Sequence, residues 1–396
     1  MNLTANPVLE DEDGHQQGGQ AESCALLRAS VHRPMNPERM RRLAAEVTDW
    51  DCLIKAAREH RIAPMLHDCV LKLELAIPPE AAESLRLEYD RNAYQGLANA
   101  AELIALLEEF SRHQIPAMPF KGVVLGASVY GGLTTRPAGD LDILIHHRHL
   151  KRATEILLRR GYQLSTPTNE DGSPAAAECY EYEFERPIDG LIVELRWRLE
   201  LFQPQFRQEV GLDWAWPRRR SVKLAGAEVP NLTAEAMLLM LCMHGCKHYW
   251  SRLIWIVDVA MLLDAEPDLE WSWALREAKR LGLWRALSLG VLLAQSVGNA
   301  PVPAALLRRF QSDTISVGLA RHFEENIFHA PGAGPAWRVP YAVKLLGTRD
   351  RLMFLASLGF LRPNERDFGA VALPKPLRAL YYLIRPIRLL REKSPR

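Results

Sequence analysis

Asp140 and Asp142 stand two positions apart at the head of the segment DLDILIH, with Leu141, Ile143, Leu144 and Ile145 around them. The alternation at its head reads as a β-strand, and residues two apart on a strand face the same way. Two carboxylates held side by side repel each other, so such a pair persists where a divalent cation, most often magnesium, neutralises it. The plain alternative is a solvent-facing acidic strand end. A two-cation site needs a third carboxylate from a neighbouring strand. Glu194 in LIVELR is the candidate, because Ile192, Glu194 and Arg196 would share one strand face and Leu191, Val193 and Leu195 the other.

Several elements must position these acids. Ile115 to Phe120 reads as a short apolar strand, Lys121-Gly122 as a turn, and Val123 to Tyr130 as an apolar helix ended by Gly131-Gly132. A glycine opening a helix straight after a strand lets a phosphate approach free backbone N–H groups, and Lys121 adds charge. Residues 133–139 place Arg136 just upstream of the acids, where a guanidinium either grips a phosphate or salt-bridges the carboxylates. Leu150 to Arg160 is an expected amphipathic helix, and Tyr180 to Phe184 with Leu191 to Arg196 an expected β-hairpin. Thr233 is expected to cap a later helix carrying Cys242, His244, Cys246 and His248. On that helix the cysteines lie about 200° from the histidines, which argues against one zinc site. The histidine pair, followed by Trp250 and Arg252, either lines a nucleotide or acceptor pocket or is buried and hydrogen-bonded to Asp258 or to backbone. Asp258 lies among apolar neighbours and needs a partner if buried. His60 and His67 read as ordinary helix-surface or packing residues.

Lys-Gly, an apolar helix ending in Tyr, Arg-Pro, Asp-x-Asp and a strand of the form Val-Glu-Leu-x-Trp follow one another from Lys121 to Trp197. In that combination the chain resembles the uncharacterised bacterial nucleotidyltransferase family of the DNA polymerase β superfamily. The likeness continues in LLMLCMHGCKHYWSRLIWIVDVAMLL (Leu238 to Leu263) and in the ending LRPNERDFGAVALPKPLRALYYLIRPIRLL. The resemblance implies an α+β fold: a polymerase β-like nucleotidyltransferase core, a mixed sheet with flanking helices, between N-terminal and C-terminal helical regions. It implies in-line displacement at the α-phosphate of a nucleoside triphosphate, with pyrophosphate leaving and the nucleotide joined to an acceptor hydroxyl on a small molecule, sugar or peptide. Asp140, Asp142 and Glu194 would be the catalytic acids and would hold two magnesium ions (Mg2+), with manganese (Mn2+) as a substitute. Lys121, Gly122, Arg136, His244 and His248 would face the nucleotide. Three positions depart from the superfamily's habit: its Gly-Ser or Gly-Gly is here Gly122-Val123, seventeen residues separate Gly122 from Asp140, and Arg196 stands where relatives often carry His.

With 396 residues, 48% hydrophobic and 24% charged, the chain has the composition of a soluble globular protein with room for two or three domains. No apolar run is long enough to span a bilayer, and the polar, acidic start lacks the features of a signal peptide, so the expected location is the cytoplasm. Six scattered cysteines fit reduced thiols. A net charge of +1 gives no pull towards nucleic acid, which is not an expected partner. The expected organisation is a disordered tail (1–24), a helical N-terminal domain (25–112), the nucleotidyltransferase core (113–230), a helical domain (231–340) and a basic helical C-terminal tail (341–396). In the helical N-terminal part, Pro37 to Lys55 and Ala81 to Arg112 carry apolar residues at helical spacing. In the tail, Leu377 to Arg391 is basic and amphipathic, a pattern suited to weak contact with an anionic membrane surface and, more commonly, to packing on its own protein. Two other classes fit Asp-x-Asp: a glycosyltransferase using a nucleotide-sugar, and a non-catalytic nucleotide-binding protein that keeps the fold. The first needs a strand-rich half before the motif, where this chain is helical. The second has no need for three converging acids.

Overall fold

Capping side chains cut the N-terminal helical stretch into pieces. The computed structural model describes residues 22–166, 180–199, 210–328, 341 and 343–345. Helix α1 (22–31) is followed by α2 (Pro37–Glu46), α3 (Trp50–Glu59), α4 (Ala63–Leu73) and the long α5 (Pro79–Arg112). Asn36 accepts from the Arg39 N–H at 2.9 Å and Asp49 from the Cys52 N–H at 2.8 Å, so the helical pattern from Pro37 to Lys55 resolves into two helices. Helix α1 begins inside the stretch expected to be disordered. Ser23 is buried, and Leu26 and Leu27 fully so, which holds the first turn against the core. Residues 1–21 lie outside the described residues.

The sheet is built next. Strand β1 (Ala117–Pro119) is shorter than expected, because the backbone turns at Lys121 into helix α6 (Gly122–Val129). Then come β2 (Asp140–Ile145), α7 (Leu150–Arg159), β3 (Gln163–Leu164), β4 (Glu181–Arg186) and β5 (Leu191–Arg196). They form a five-stranded mixed sheet in the order β1-β2-β5-β4-β3. Strand β2 runs parallel to β5, with Asp142 opposite Glu194 and Asp140 opposite Ile192, while the other neighbours are antiparallel. Beyond β6 (Arg198–Leu199), β7 (Val210–Gly211) and α8 (Leu212–Ala215) lies a hairpin that the sequence pattern did not predict, β8 (Arg219–Leu224) with β9 (Ala227–Leu232). Its two turn residues, Ala225 and Gly226, both take positive φ (48° and 91°), the backbone that matches the twist of a tight hairpin.

The chain continues as α9 (Ala234–Lys247), α10 (Leu253–Ala265), α11 (Trp271–Arg280), α12 (Trp284–Gly298), α13 (Ala304–Gln311) and α14 (Thr314–Asn326). One apolar core fills the sheet with α5 and α7. A larger one joins α1–α4 to α9–α14, so the helices of the two ends pack on each other as one body. The cleft between that body and the head of β2 is where the acids lie. No helix among the described residues is long and apolar enough to cross a membrane, and Leu377 to Arg391 lies outside the described residues.

Candidate active site

Parallel pairing of β2 with β5 brings the acids together. Carboxylate oxygens of Asp140, Asp142 and Glu194 all lie within 4.8 Å of one another. Asp142 is the most enclosed, at 3% exposure. Lys121 Nζ meets its Oδ2 at 2.9 Å, and Arg196 Nε faces its Oδ1 at 3.2 Å. Arg196 also bridges Glu194 and, at 2.5 Å, Glu181. Burial alone would raise the pKa of Asp142, yet Lys121 and then Arg196 hold it below the ordinary aspartate range. Burial, with the charge of Asp142 next to it, pushes Glu194 up to about 7. Asp140 is half-buried and has no hydrogen bond or ion pair from the described residues.

Backbone strain aims Lys121 at Asp142. Its φ of 57° and ψ of −145° belong to a region that only glycine enters freely. Gly122 follows with φ 45°, and its Cα faces the carbonyl of Asp140, so the turn brings the start of α6 against the head of β2. The lysine expected to face a triphosphate is therefore occupied by an acid of the triad.

Arg136 differs from both of its expected roles. It forms a two-pronged ion pair with Asp258 of α10 (Nε–Oδ1 2.7 Å, Nη2–Oδ2 2.8 Å), and Tyr130 donates to the same carboxylate at 2.6 Å. Its Nη1 also reaches the Gly122 carbonyl at 3.2 Å. The buried pair thus fastens α10 of the helical body to the loop that delivers β2. Asp258 has the partner its surroundings demanded, and that partner is not the histidine pair.

His244 and His248 line the cavity instead. Their rings are 4.5 Å apart, and His248 stacks on Trp255 at 4.9 Å with 25° between planes. Burial, then the charge of Lys121, holds His244 well below the usual histidine range, which favours the neutral ring. Cys242 and Cys246 are fully buried on the other side of α9, around Trp250 and Tyr341. A Cβ on Gly245 would fall 2.4 Å from the Trp250 ring, and this close approach anchors the turn between α9 and α10. His67 packs on Tyr89 as expected. His60 does more than its pattern suggested: it lines the cavity and accepts the Leu253 N–H at Nδ1, 3.2 Å away.

The cavity measures about 700 Å³, room enough for a nucleotide. Its sheet wall carries the acids, Lys121 and Gly122; its helical wall carries His60, Arg61, Arg252 and Trp255. Nothing in the sequence pattern singled out Arg61 or Trp255. The signal that exists for Arg61 is its position at the end of a helix, where glycine is usual.

An oxygen-only set of three carboxylates, one of them with a buried oxygen (Asp142 Oδ1) that no hydrogen bond satisfies, suits a hard divalent cation. Among the described residues it is the one His/Cys/Asp/Glu cluster close enough for that role. A mixed sheet with flanking helices and three acids at the head of its parallel pair has the form of a nucleotidyltransferase-type enzyme. The chain belongs to the family described as "Uncharacterised nucleotidyltransferase", which matches residues 46–299. It is similar to the crystal structure of the lincosamide antibiotic adenylyltransferase LnuA, lincomycin-bound (18% identity, 35% of this chain and 83% of that one, TM-score 0.27). A second similar structure is an antigenic nucleotidyltransferase-like protein from Paracoccidioides brasiliensis (19% identity, 48% of this chain and 91% of that one, TM-score 0.28). No curated protein sequence matches the chain.

Proposed function

We propose that the chain is a magnesium-dependent nucleotidyltransferase, moving a nucleoside monophosphate from a nucleoside triphosphate to an acceptor hydroxyl on a small molecule, sugar or peptide. The observation that carries this reading is the convergence of Asp140, Asp142 and Glu194 within 4.8 Å at the floor of a nucleotide-sized cavity. The acceptor oxygen bonds to the α-phosphorus, the bond from that phosphorus to the α,β-bridging oxygen breaks, pyrophosphate leaves, and the hydroxyl proton passes to solvent. Asp140, Asp142 and Glu194 would hold the magnesium, which supplies charge to lower the hydroxyl pKa and to offset the negative charge growing on the phosphate oxygens. Arg196 fixes Glu194 beside Asp142 by bridging both, and Lys121 keeps Asp142 ionised. Gly122, lacking a side chain at the start of α6, leaves the α-phosphate room near the acids. The His248–Trp255 stack offers an aromatic surface for the nucleobase.

The test is incubation with each α-labelled nucleoside triphosphate, magnesium and cell extract as the source of acceptor. Label transferred by the wild type and not by Asp140→Asn or Asp142→Asn supports the reading. Equal transfer by wild type and variants, or none with any triphosphate, sinks it.

A further inference from the structure

The cations of the cavity fall into two groups. Lys121 and Arg196 are bonded to acids of the triad, Arg136 to Asp258, and Lys247 lies 3.3 Å from the Tyr180 hydroxyl. The guanidinium groups of Arg61 and Arg252 line the same cavity with no hydrogen bond or ion pair from the described residues. Burial is the largest influence on Arg61 and disfavours its charge; Asp140 favours it, while Arg252 and Arg136 repel it. Two guanidinium groups left facing one space are stable together when an anion lies between them.

The backbone at Arg61 adds an independent observation. Helix α3 ends in a paired-hydrogen-bond cap: the Ile62 N–H donates to the Ala57 carbonyl at 2.8 Å and the Arg61 N–H to the Arg58 carbonyl at 2.9 Å. In that cap the residue at the position of Arg61 is left-handed and usually glycine. Arg61 adopts it with φ 57°. An arginine at this position costs stability, and the cap itself gains nothing from the side chain.

Across the cleft, the sheet wall makes way for that side chain. Gly139 directly precedes Asp140, and a Cβ there would come within 3.0 Å of Arg61 Nη2. The guanidinium therefore lies against the head of β2, one residue from the acids, although it is carried by the N-terminal helices.

We infer that Arg61, with Arg252 beside it, grips the β- and γ-phosphates of the nucleoside triphosphate and hence the departing pyrophosphate. This rests on the nucleotidyl-transfer reading above. With the α-phosphate at the triad, the rest of the triphosphate needs positive charge close to Asp140, and Lys121 and Arg136 have none uncommitted. The charge comes instead from the helical body, so the two walls are joined by the substrate as well as by Arg136–Asp258. Pyrophosphate release then requires these arginines to let go.

Arg61→Gly makes the test sharp, because relief of the left-handed strain predicts a more stable protein that binds worse. The full chain is titrated calorimetrically with inorganic pyrophosphate plus magnesium, with a non-hydrolysable nucleoside triphosphate plus magnesium, and melted thermally. Arg61→Gly is expected to weaken pyrophosphate about ten- to hundredfold, the range for losing charge-assisted hydrogen bonds. Its melting temperature should rise by about 1–3 °C. Arg252→Ala, at an exposed position, should weaken pyrophosphate several-fold with the melting temperature unchanged. Pyrophosphate affinity within about twofold of wild type in Arg61→Gly overturns the inference, as does a loss of affinity accompanied by a lower melting temperature, the mark of a packing role. If the wild type binds neither pyrophosphate nor triphosphate, the nucleotidyl-transfer reading itself fails.

Discussion

On the sheet wall of the cleft, cations are matched to acids: Lys121 to Asp142, and Arg196 to Asp142, Glu194 and Glu181. On the helical wall, Arg61 and Arg252 face the same space with no acid bonded to either. The first arrangement is that of a preorganised site, in which side chains hold each other in place before any ligand arrives. The second is that of a receptor surface whose charge is satisfied from outside. On the nucleotidyl-transfer reading a single protein needs both, because a triphosphate would bring its own negative charge, whereas carboxylates that would hold a cation must be kept ionised and in position without it.

The largest expected effects come from the sheet wall. Asp140→Asn and Asp142→Asn should each lower the transfer rate by about a thousandfold or more, since either removes a carboxylate of the proposed cation site. Their stabilities should part company. Asp140 makes no hydrogen bond or ion pair among the described residues, so its loss leaves the melting temperature close to wild type, whereas Asp142→Asn strands the buried Lys121 and should cost about 3–5 kcal/mol. Urea unfolding beside the label-transfer assay measures both. Equal destabilisation by the two variants breaks the distinction between a free and a matched acid.

Next in size is the fastening between the walls. Asp258→Ala leaves Arg136 buried without its partner and takes away the acceptor of the Tyr130 hydroxyl, a loss of about 3–5 kcal/mol by urea unfolding. Arg136→Met with Asp258→Leu, which removes both charges, should recover most of that stability. A single variant as stable as wild type would mean that the pair does not hold the helical body to the sheet.

The helical wall carries an acid-sensitive contact at His60. Burial, helped by Arg252, lowers its pKa from 6.5 to about 4, and its Nδ1 accepts the Leu253 N–H only while unprotonated. A folded-state pKa below the unfolded one means that the unfolded chain binds the proton first. The contribution is therefore complete above about pH 6.5 and is lost as the pH falls towards 4, by about 3 kcal/mol in all. The difference in unfolding free energy between wild type and His60→Asn, followed from pH 7 to 4, should shrink by about that amount. A difference independent of pH removes His60 as the sensitive group.

The two walls also differ in how far sequence reveals them. Asp140, Asp142 and Glu194 were legible because strand periodicity is local: two residues apart means one face, and the apolar alternation of LIVELR fixes which side Glu194 takes. Individual strands and helices followed from the same periodicities, whereas their assembly into a mixed sheet with flanking helices came only from the family resemblance. Lys121 and Arg136 were recognised as cations near the acids, but their partners were not, since pairing depends on a strained turn in one case and on Asp258, 122 residues away, in the other. Arg61 and His60 were the least legible. Their place in the cleft depends on α1–α4 packing against α9–α14, a long-range contact that no local period encodes. The tight β8–β9 hairpin was missed because Ala225, with positive φ, stands where Asn or Asp would have announced the turn.

The smallest expected effect separates the two walls as phosphate binders. Gly122 has φ 45°, and a Cβ there would lie 3.4 Å from the Asp140 carbonyl, an ordinary contact, so Gly122→Ala is strained without being blocked. The cost is about 1 kcal/mol, or about 1–2 °C in melting temperature for a chain of this size. The added methyl projects where the α-phosphate is proposed to approach the start of α6, so affinity for a non-hydrolysable triphosphate should fall about fivefold, equivalent to about 1 kcal/mol. Inorganic pyrophosphate, bound by Arg61 and Arg252, should be unaffected by it. Arg61→Gly has the opposite signature, weakening both ligands while raising the melting temperature. If Gly122→Ala weakens pyrophosphate as much as triphosphate, the leaving group also lies on the sheet wall, and the division of labour between the walls collapses into a single phosphate site at the Lys121-Gly122 turn.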